Sequence, residues 1–276
     1  MTLALCGVFT AAGGAASQQR TSPPADFRYT SGQLDCAAFH ERSHAQLDAQ
    51  TGIRQRHETL TRDGVWRMRA RAGATGMAIE AWYDSLALSR ESPEGKLVPD
   101  TDGLLGGRYR GTLSPAGHYT AEARPFVPDD VAEVADLGGA MEDLLPPLPP
   151  GAISVGQRWS DSSGLELRRL PDSVAGRRVV RRLEVHARTE ADQATVRGDT
   201  TRLPAHQVAV ENGRIDWDPA IGLLRRVRRL VVETSVPAGG PLRQPLRSRL
   251  EQVGTLVRVV GRCAMDRSPS AGLESP

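Results

Sequence analysis

The string His40-Glu41-Arg42-Ser43-His44 is the stretch of this sequence whose residue types and spacing spell out a recognisable chemistry. Read as H-E-x-x-H on a helix, it puts two imidazoles on one face, where they can hold zinc. Glu41 then stands beside them as a general base. A zinc-dependent hydrolase is therefore one function to be tested. The surroundings argue the other way. Arg42-Ser43 fills the inner pair where zinc peptidases of this kind carry uncharged residues, and Gln46 occupies a position that is usually apolar. No third histidine follows at close spacing, and no clear downstream helix offers a glutamate ligand. The reading adopted assigns no catalytic, cofactor-binding or metal residue and no cofactor. His40, Glu41 and His44 stand as the alternative metal set, and the protein is expected not to be an enzyme.

Other constellations are thinner. Asp100-Thr101-Asp102-Gly103 has the alternating acids of a calcium loop but lacks the distal glutamate, and reads as an Asx-rich turn. Six histidines and many serines supply the parts of a Ser-His-Asp triad, but no G-x-S-x-G elbow presents a nucleophile. No glycine pattern of a phosphate or dinucleotide loop occurs, and Gly106-Gly107 reads as a turn. The basic runs Arg177-Arg178-Val-Val-Arg181-Arg182 and Arg225-Arg226-Val-Arg228-Arg229 suggest a nucleic-acid surface. On strands, however, their residues divide between two faces, and no aromatics are interleaved for base stacking. Cross-strand pairing with Glu184, Glu233 and Asp216 accounts for them. The net charge of only +2 agrees, and nucleic acid is not an expected partner. Lys96 is the single lysine; abundant Arg, Ala, Gly and Pro fit a GC-rich coding sequence.

Two sulfurs bear on where the chain works. Residues 1–16, MTLALCGVFTAAGGAA, are uncharged, apolar and then small, like the core and cleavage region of a secretory signal peptide. The basic start of such a leader is missing, so the true start codon is expected upstream of Met1. Cys6 follows Leu5 rather than a small residue, which disfavours lipidation. With the leader removed, Cys36 and Cys263 remain, and in an exported chain they are expected to form a disulfide tying the first element to the last. The expected location is periplasmic or extracellular. No stretch approaches the roughly 18 apolar residues of a membrane helix.

The elements that must position these residues are mostly strands. Residues 17–26 read as a polar linker, 27–265 as one β-rich domain and 266–276 as a disordered tail. Short alternating runs separated by Gly, Asp, Asn and Pro dominate. Residues 44–60 break at Gly52. Arg62-Asp63-Gly64 reads as a hairpin turn into 65–69, and Ser114-Pro115-Ala116-Gly117 as another. Later strands are expected at 155–159, 165–170, 178–188, 193–201, 206–210, 213–217, 223–236 and 246–260. One helix is expected over about 130–145: Asp130 and Glu133 fit a capping box, Val131, Val134, Leu137, Met141 and Leu144 recur at helical spacing, and Pro146 stops it. With aromatics at only 4%, the core must be built from aliphatic residues. The fold class predicted is mainly β: a curved antiparallel meander, or half-open barrel, covered by one amphipathic helix.

Two segments resemble a known group. Leu145-Pro-Pro-Leu-Pro-Pro-Gly-Ala-Ile-Ser-Val-Gly-Gln-Arg-Trp-Ser-Asp161 and the hairpin from Gly213 to Val227, GRIDWDPAIGLLRRV, are similar to stretches of uncharacterised bacterial envelope proteins. Those proteins have a half-open β-barrel like that of the Lol-type lipoprotein carriers. The likeness covers about residues 150–265. It implies a concave sheet whose ligand is a lipid or other amphiphile, and it identifies no individual binding residue. A protein partner on the curved sheet, or a purely structural module, are the other non-catalytic expectations.

Overall fold

The computed structural model describes residues 22–74, 76–195, 202–239 and 242–259. The expected leader at 1–16, Cys6, Cys263 and the tail at 266–276 lie outside the described residues. A short helix, α1 (Ser31–Leu34), is capped at Thr30 and followed by Cys36, whose φ is +59°. The chain then enters β1 (Ala38–Thr51), β2 (Arg54–Ala72), β3 (Met77–Ser92), β4 (Gly95–Leu97), β5 (Tyr109–Leu113) and β6 (Tyr119–Ala123). Helices α2 (Asp129–Val134) and α3 (Ala140–Leu144) come next. The second series is β7 (Arg158–Ser160), β8 (Leu165–Ala175), β9 (Arg178–Thr195), β10 (Arg202–Asp218), β11 (Gly222–Val236) and β12 (Leu246–Val259).

The strands form one antiparallel sheet in the order β6-β5-β3-β2-β1-β12-β11-β10-β9-β8-β7, with β4 added beside β3. Two meanders run outward from a central seam where β1 pairs with β12, so the first long strand lies beside the last. The ends β6 and β7 do not pair, and the barrel stays open. This is the mainly β, curved, half-open architecture that the alternating runs predict.

One face is covered at one end. Trp66, Trp217, Phe27, Phe39, Tyr29, Tyr83 and Tyr109 are almost wholly buried there, packed against Val131, Val134, Leu137, Met141, Leu144 and Leu148 from the helical segment. The scarce aromatic rings are thus concentrated in this core, whereas the sequence suggested an aliphatic one. The part of the presumed linker that is described also docks: Ala25 is buried and bridges Ile153 through two backbone hydrogen bonds.

The single helix expected at 130–145 is two. Gly138-Gly139 separates α2 from α3, because two glycines cost helix about 1 kcal/mol each relative to alanine. The capping box is absent: Pro128 holds the N-cap and makes no side-chain bond. Arg62-Asp63-Gly64 is not a turn either, since β2 runs through it. Asp63 serves instead as an acceptor for His40 and Arg42 on β1. Gly64 lies close under its neighbours, where a Cβ would stand 3.0 Å from the Ser85 carbonyl oxygen. Likewise 206–210 and 213–217 belong to one strand, β10, continuous through Asn212-Gly213.

Gly117 shows a turn that glycine alone satisfies. Its φ is +88°, and a Cβ would meet the Pro146 carbonyl oxygen at 2.6 Å. Gly117→Ala is expected to lower stability by more than about 1 kcal/mol, read as a fall in the urea midpoint at constant slope.

Candidate functional site

Strand β1 decides the fate of the zinc reading. In a strand, side chains alternate between faces, and residues four apart are about 13 Å from each other. His40, Arg42 and His44 therefore point away from the helices, and Glu41 and Ser43 point toward them. His40 Nε2 lies 2.7 Å from Asp63 Oδ1, and Arg42 Nε donates to Asp63 Oδ2 at 2.8 Å. These bonds, His40 first, hold the Asp63 carboxyl below its ordinary range. The two histidines share no metal geometry, and among the described residues no cluster of three His, Cys, Asp or Glu side chains is arranged to hold an ion. The alternative set His40, Glu41, His44 is thus corrected: the pattern is borne by a strand, where it cannot converge. Asp100 is likewise engaged locally, its Oδ1 accepting from Asp102 N at 2.9 Å in an Asx turn.

Glu41, freed from that motif, belongs to a different constellation. The strand registers stack the inward side chains in rows across the centre of the sheet. The row at the core end holds Gly64, Glu41, Leu256, Arg226 and Ile215. The next holds Arg62, Ser43, Gly254, Arg228 and Gly213. Beyond it come Leu60, Ala45, Gln252, Leu230 and Glu211, and then Glu58, Leu47, Leu250, Val232 and Ala209. A last row, Arg56, Ala49, Ser248, Thr234 and Gln207, leads to the open rim.

The first two rows are charged and partly covered by α3. Glu41 Oε2 accepts from Trp66 Nε1 at 2.9 Å, and Glu41 Oε1 lies 3.5 Å from Arg62 NH1. Burial works against the charge of Arg62, but Glu41 and the hydroxyl of Tyr83 outweigh it and hold the guanidinium protonated. Burial also pushes the Tyr83 hydroxyl well above its ordinary value, helped by Glu41. On the other side of the seam, Arg226 NH2 meets Glu211 Oε1 at 3.0 Å and Arg228 Nε meets Glu211 Oε2 at 3.1 Å. Arg226 also donates to the Asp143 carbonyl, and Arg228 NH1 lies 3.6 Å from Asp143 Oδ2, so both arginines tether α3 to the sheet. A cavity of about 200 Å³ opens between these groups, bounded by Arg62, Arg226, Arg228, Asp136, Asp143 and Gly254. A second of about 230 Å³ lies on the far side of α3, between Leu165, Leu167, Val185 and the Leu145–Pro147 segment.

The next two rows carry, among Gln252, Glu211 and Glu58, five large apolar side chains that are not part of the core. Leu47, Leu60, Leu230, Val232 and Leu250 face the covered side of the sheet, yet each remains half-buried and none joins the core cluster. They form an open floor running from the charged rows toward the rim.

The basic runs divide as strand geometry requires: Arg226 and Arg228 face inward, and Arg225 and Arg229 outward. Their partners differ from those expected. Glu184 pairs with Arg168, Glu233 with Arg249 and Asp216 with Arg214, while Arg229 takes Glu251. Sequence reasoning missed the role of Glu41, Arg62, Glu211, Arg226 and Arg228 as one group. Glu41 and Arg62 lie far along the chain from Glu211, Arg226 and Arg228, and only the β1–β12 seam unites the two sets.

No protein-family model matches the chain, and no curated protein matches it. Among solved structures the chain is similar to lipovitellin, in a structure concerned with its lipid–protein interactions. That match has a TM-score of 0.45 and 11% identity, over 82% of this chain and 25% of that one. The chain thus spans about a quarter of the lipovitellin chain it matches. It is also similar to Neisserial surface protein A (TM-score 0.21, 8% identity, 80% of this chain and 97% of that one). A DUF1329 family protein from Desulfovibrio piger follows (TM-score 0.16, 10% identity, 84% and 90%).

Proposed function

We propose that the protein is a non-catalytic binding protein of the cell envelope that holds one amphiphilic molecule on the inner face of its open sheet. The observation that carries the reading is the leucine–valine floor: Leu47, Leu60, Leu230, Val232 and Leu250 face the core side and yet remain outside the core. Apolar surface left in water costs roughly 25 cal/mol per Å², and a contiguous half-exposed floor beside polar groups is the usual make-up of a ligand site. The test is titration of the purified protein with N-phenyl-1-naphthylamine, an uncharged fluorescent probe of apolar sites. Saturable enhancement is expected, with a loss of about tenfold in affinity for Leu230→Asp and none for Val253→Asp on the opposite face. Absence of saturable binding, or equal loss from both variants, overturns the reading.

Export is part of the same proposal, and the Cys36–Cys263 bridge is its chemical mark. Val259, four residues before Cys263, pairs with Ala38, two residues after Cys36. Cys36 also holds a left-handed φ of +59°, which costs an ordinary side chain about 1–2 kcal/mol. A glycine there would be unstrained, and what the cysteine adds in exchange for the strain is its sulfur. Thiol labelling of the leaderless protein is expected to find no free thiol before reduction and two after. Closing so long a loop is expected to add about 4–5 kcal/mol of stability in the chain-entropy model, and reduction should remove it.

A further inference from the structure

We infer that the bound amphiphile presents an uncharged head with acceptor oxygens, an ester or amide carbonyl, to the cavity beneath α3. Its acyl chain then lies over the leucine floor. The inference rests on the proposed function and names the class of ligand. Of the arginines bounding the cavity, Arg42 is directed to Asp63 on the other face. Arg62 is set against Glu41, Arg226 against Glu211, and Arg228 against Glu211 and Asp143, while Asp136 adds a further carboxylate to the wall. The positive charge is already met. A phosphate or carboxylate head would stand among acids in a partly desolvated space, where repulsion is poorly screened.

Donors, by contrast, are in surplus. Arg62 Nε is fully buried and has no acceptor. Arg228 Nε lies 3.1 Å from Glu211 Oε2 but is out of line for a hydrogen bond. Neither N–H is exposed to the cavity as the side chains stand, so a neutral carbonyl oxygen satisfies it, without adding charge, after a small turn of the guanidinium. Between the two arginines, Ser43 and Gly254 keep the row low and leave the space open. From the Gly254 row to the Leu250 row is about 13 Å along the strands, enough for a medium acyl chain.

The experiment is calorimetric titration with three ligands of equal chain length: monodecanoyl glycerol, decanoate and decyl phosphate. The neutral ester is expected to bind at least tenfold more tightly than either anion at pH 7. Arg62→Met should weaken the ester at least tenfold and, by removing a cation from among the acids, should leave the two anions no tighter than before. Because that variant leaves Glu41 unpaired and threatens the fold, Gly254→Leu serves as the second. A Cβ at 254 makes no contact closer than 3.8 Å, so this variant fills the cavity without a backbone clash. It is expected to keep the melting temperature and to lose the ester at least tenfold. Equal or tighter binding of an anion overturns the neutral-head inference and leaves the amphiphile reading standing. Unchanged ester binding in folded Gly254→Leu places the head elsewhere and also overturns it. Failure of all three ligands to bind, together with failure of the naphthylamine probe, removes the amphiphile reading itself.

Discussion

Glu41→Ala is expected to destabilise the protein by about 3–5 kcal/mol, because it leaves the Arg62 guanidinium in the interior without its counter-charge. The carboxylate also accepts the indole N–H of Trp66 at 2.9 Å and the Tyr83 hydroxyl at 3.4 Å. Alanine strands three donor groups, and the ring cluster of Trp66, Tyr83 and Tyr109 packs directly behind them. Glu41→Gln retains an acceptor for Trp66 and is expected to cost less. The double variant Glu41→Leu/Arg62→Met removes both charges at once and is expected to recover most of the loss, since buried pairs are often replaceable by apolar residues. Urea unfolding of the four proteins measures this. If Glu41→Ala leaves the midpoint unchanged, the pairing described is not energetically coupled. The outcome also separates two meanings of one residue: a zinc hydrolase base would be dispensable to the fold, whereas the pairing of Glu41 with Arg62, Trp66 and Tyr83 predicts a loss of stability.

A loss of similar size, about 3–5 kcal/mol, is expected for Trp217→Ala. Trp217 is 1% exposed and receives the edges of Phe27 and Tyr29, with ring centroids 6.1 and 5.3 Å away. It therefore joins the late hairpin β10–β11 to the N-terminal segment. Tyr29 is fixed at its other end by donating to the Pro146 carbonyl at 3.0 Å, so the indole also steadies the exit from α3. Arg258 reinforces the same junction, donating to the carbonyls of Ile221 and Gln33 at 2.8 and 2.7 Å. Trp217→Phe should cost a fraction of the alanine change, because a smaller ring still meets Tyr29. A Trp217→Ala variant that unfolds at the wild-type midpoint would show that the N-terminal segment is not coupled to the sheet.

Much of the architecture is legible in local pattern. Alternation along β1, β3, β8 and β11, the break at Gly52 and the Ser114–Gly117 turn are properties of a few neighbouring residues, and strand and turn formation depends on those. Where the reading fails, a local cue meets a tertiary demand. Asp63-Gly64 has the composition of a turn, but Asp63 is wanted by His40 across the ladder and Gly64 by the close approach of Ser85. The helix at 130–145 has a continuous apolar stripe, yet the two glycines relax the backbone and the stripe docks in two pieces.

The candidate site was less visible for a physical reason. Its charged residues come from β1, β2, β10, β11 and α3, and no spacing along the chain relates Arg62 to Arg228. The sequence by itself determined that strands dominate, that basic runs split between faces and that Cys36 and Cys263 stand near the two ends of the β-rich region. Tertiary structure alone decided that β1 pairs with β12. That pairing set Glu41 facing the core rather than a metal and brought five strands' inward rows into register. It also left the leucine floor uncovered, because a sheet whose outer strands do not meet cannot bury all of its inner face.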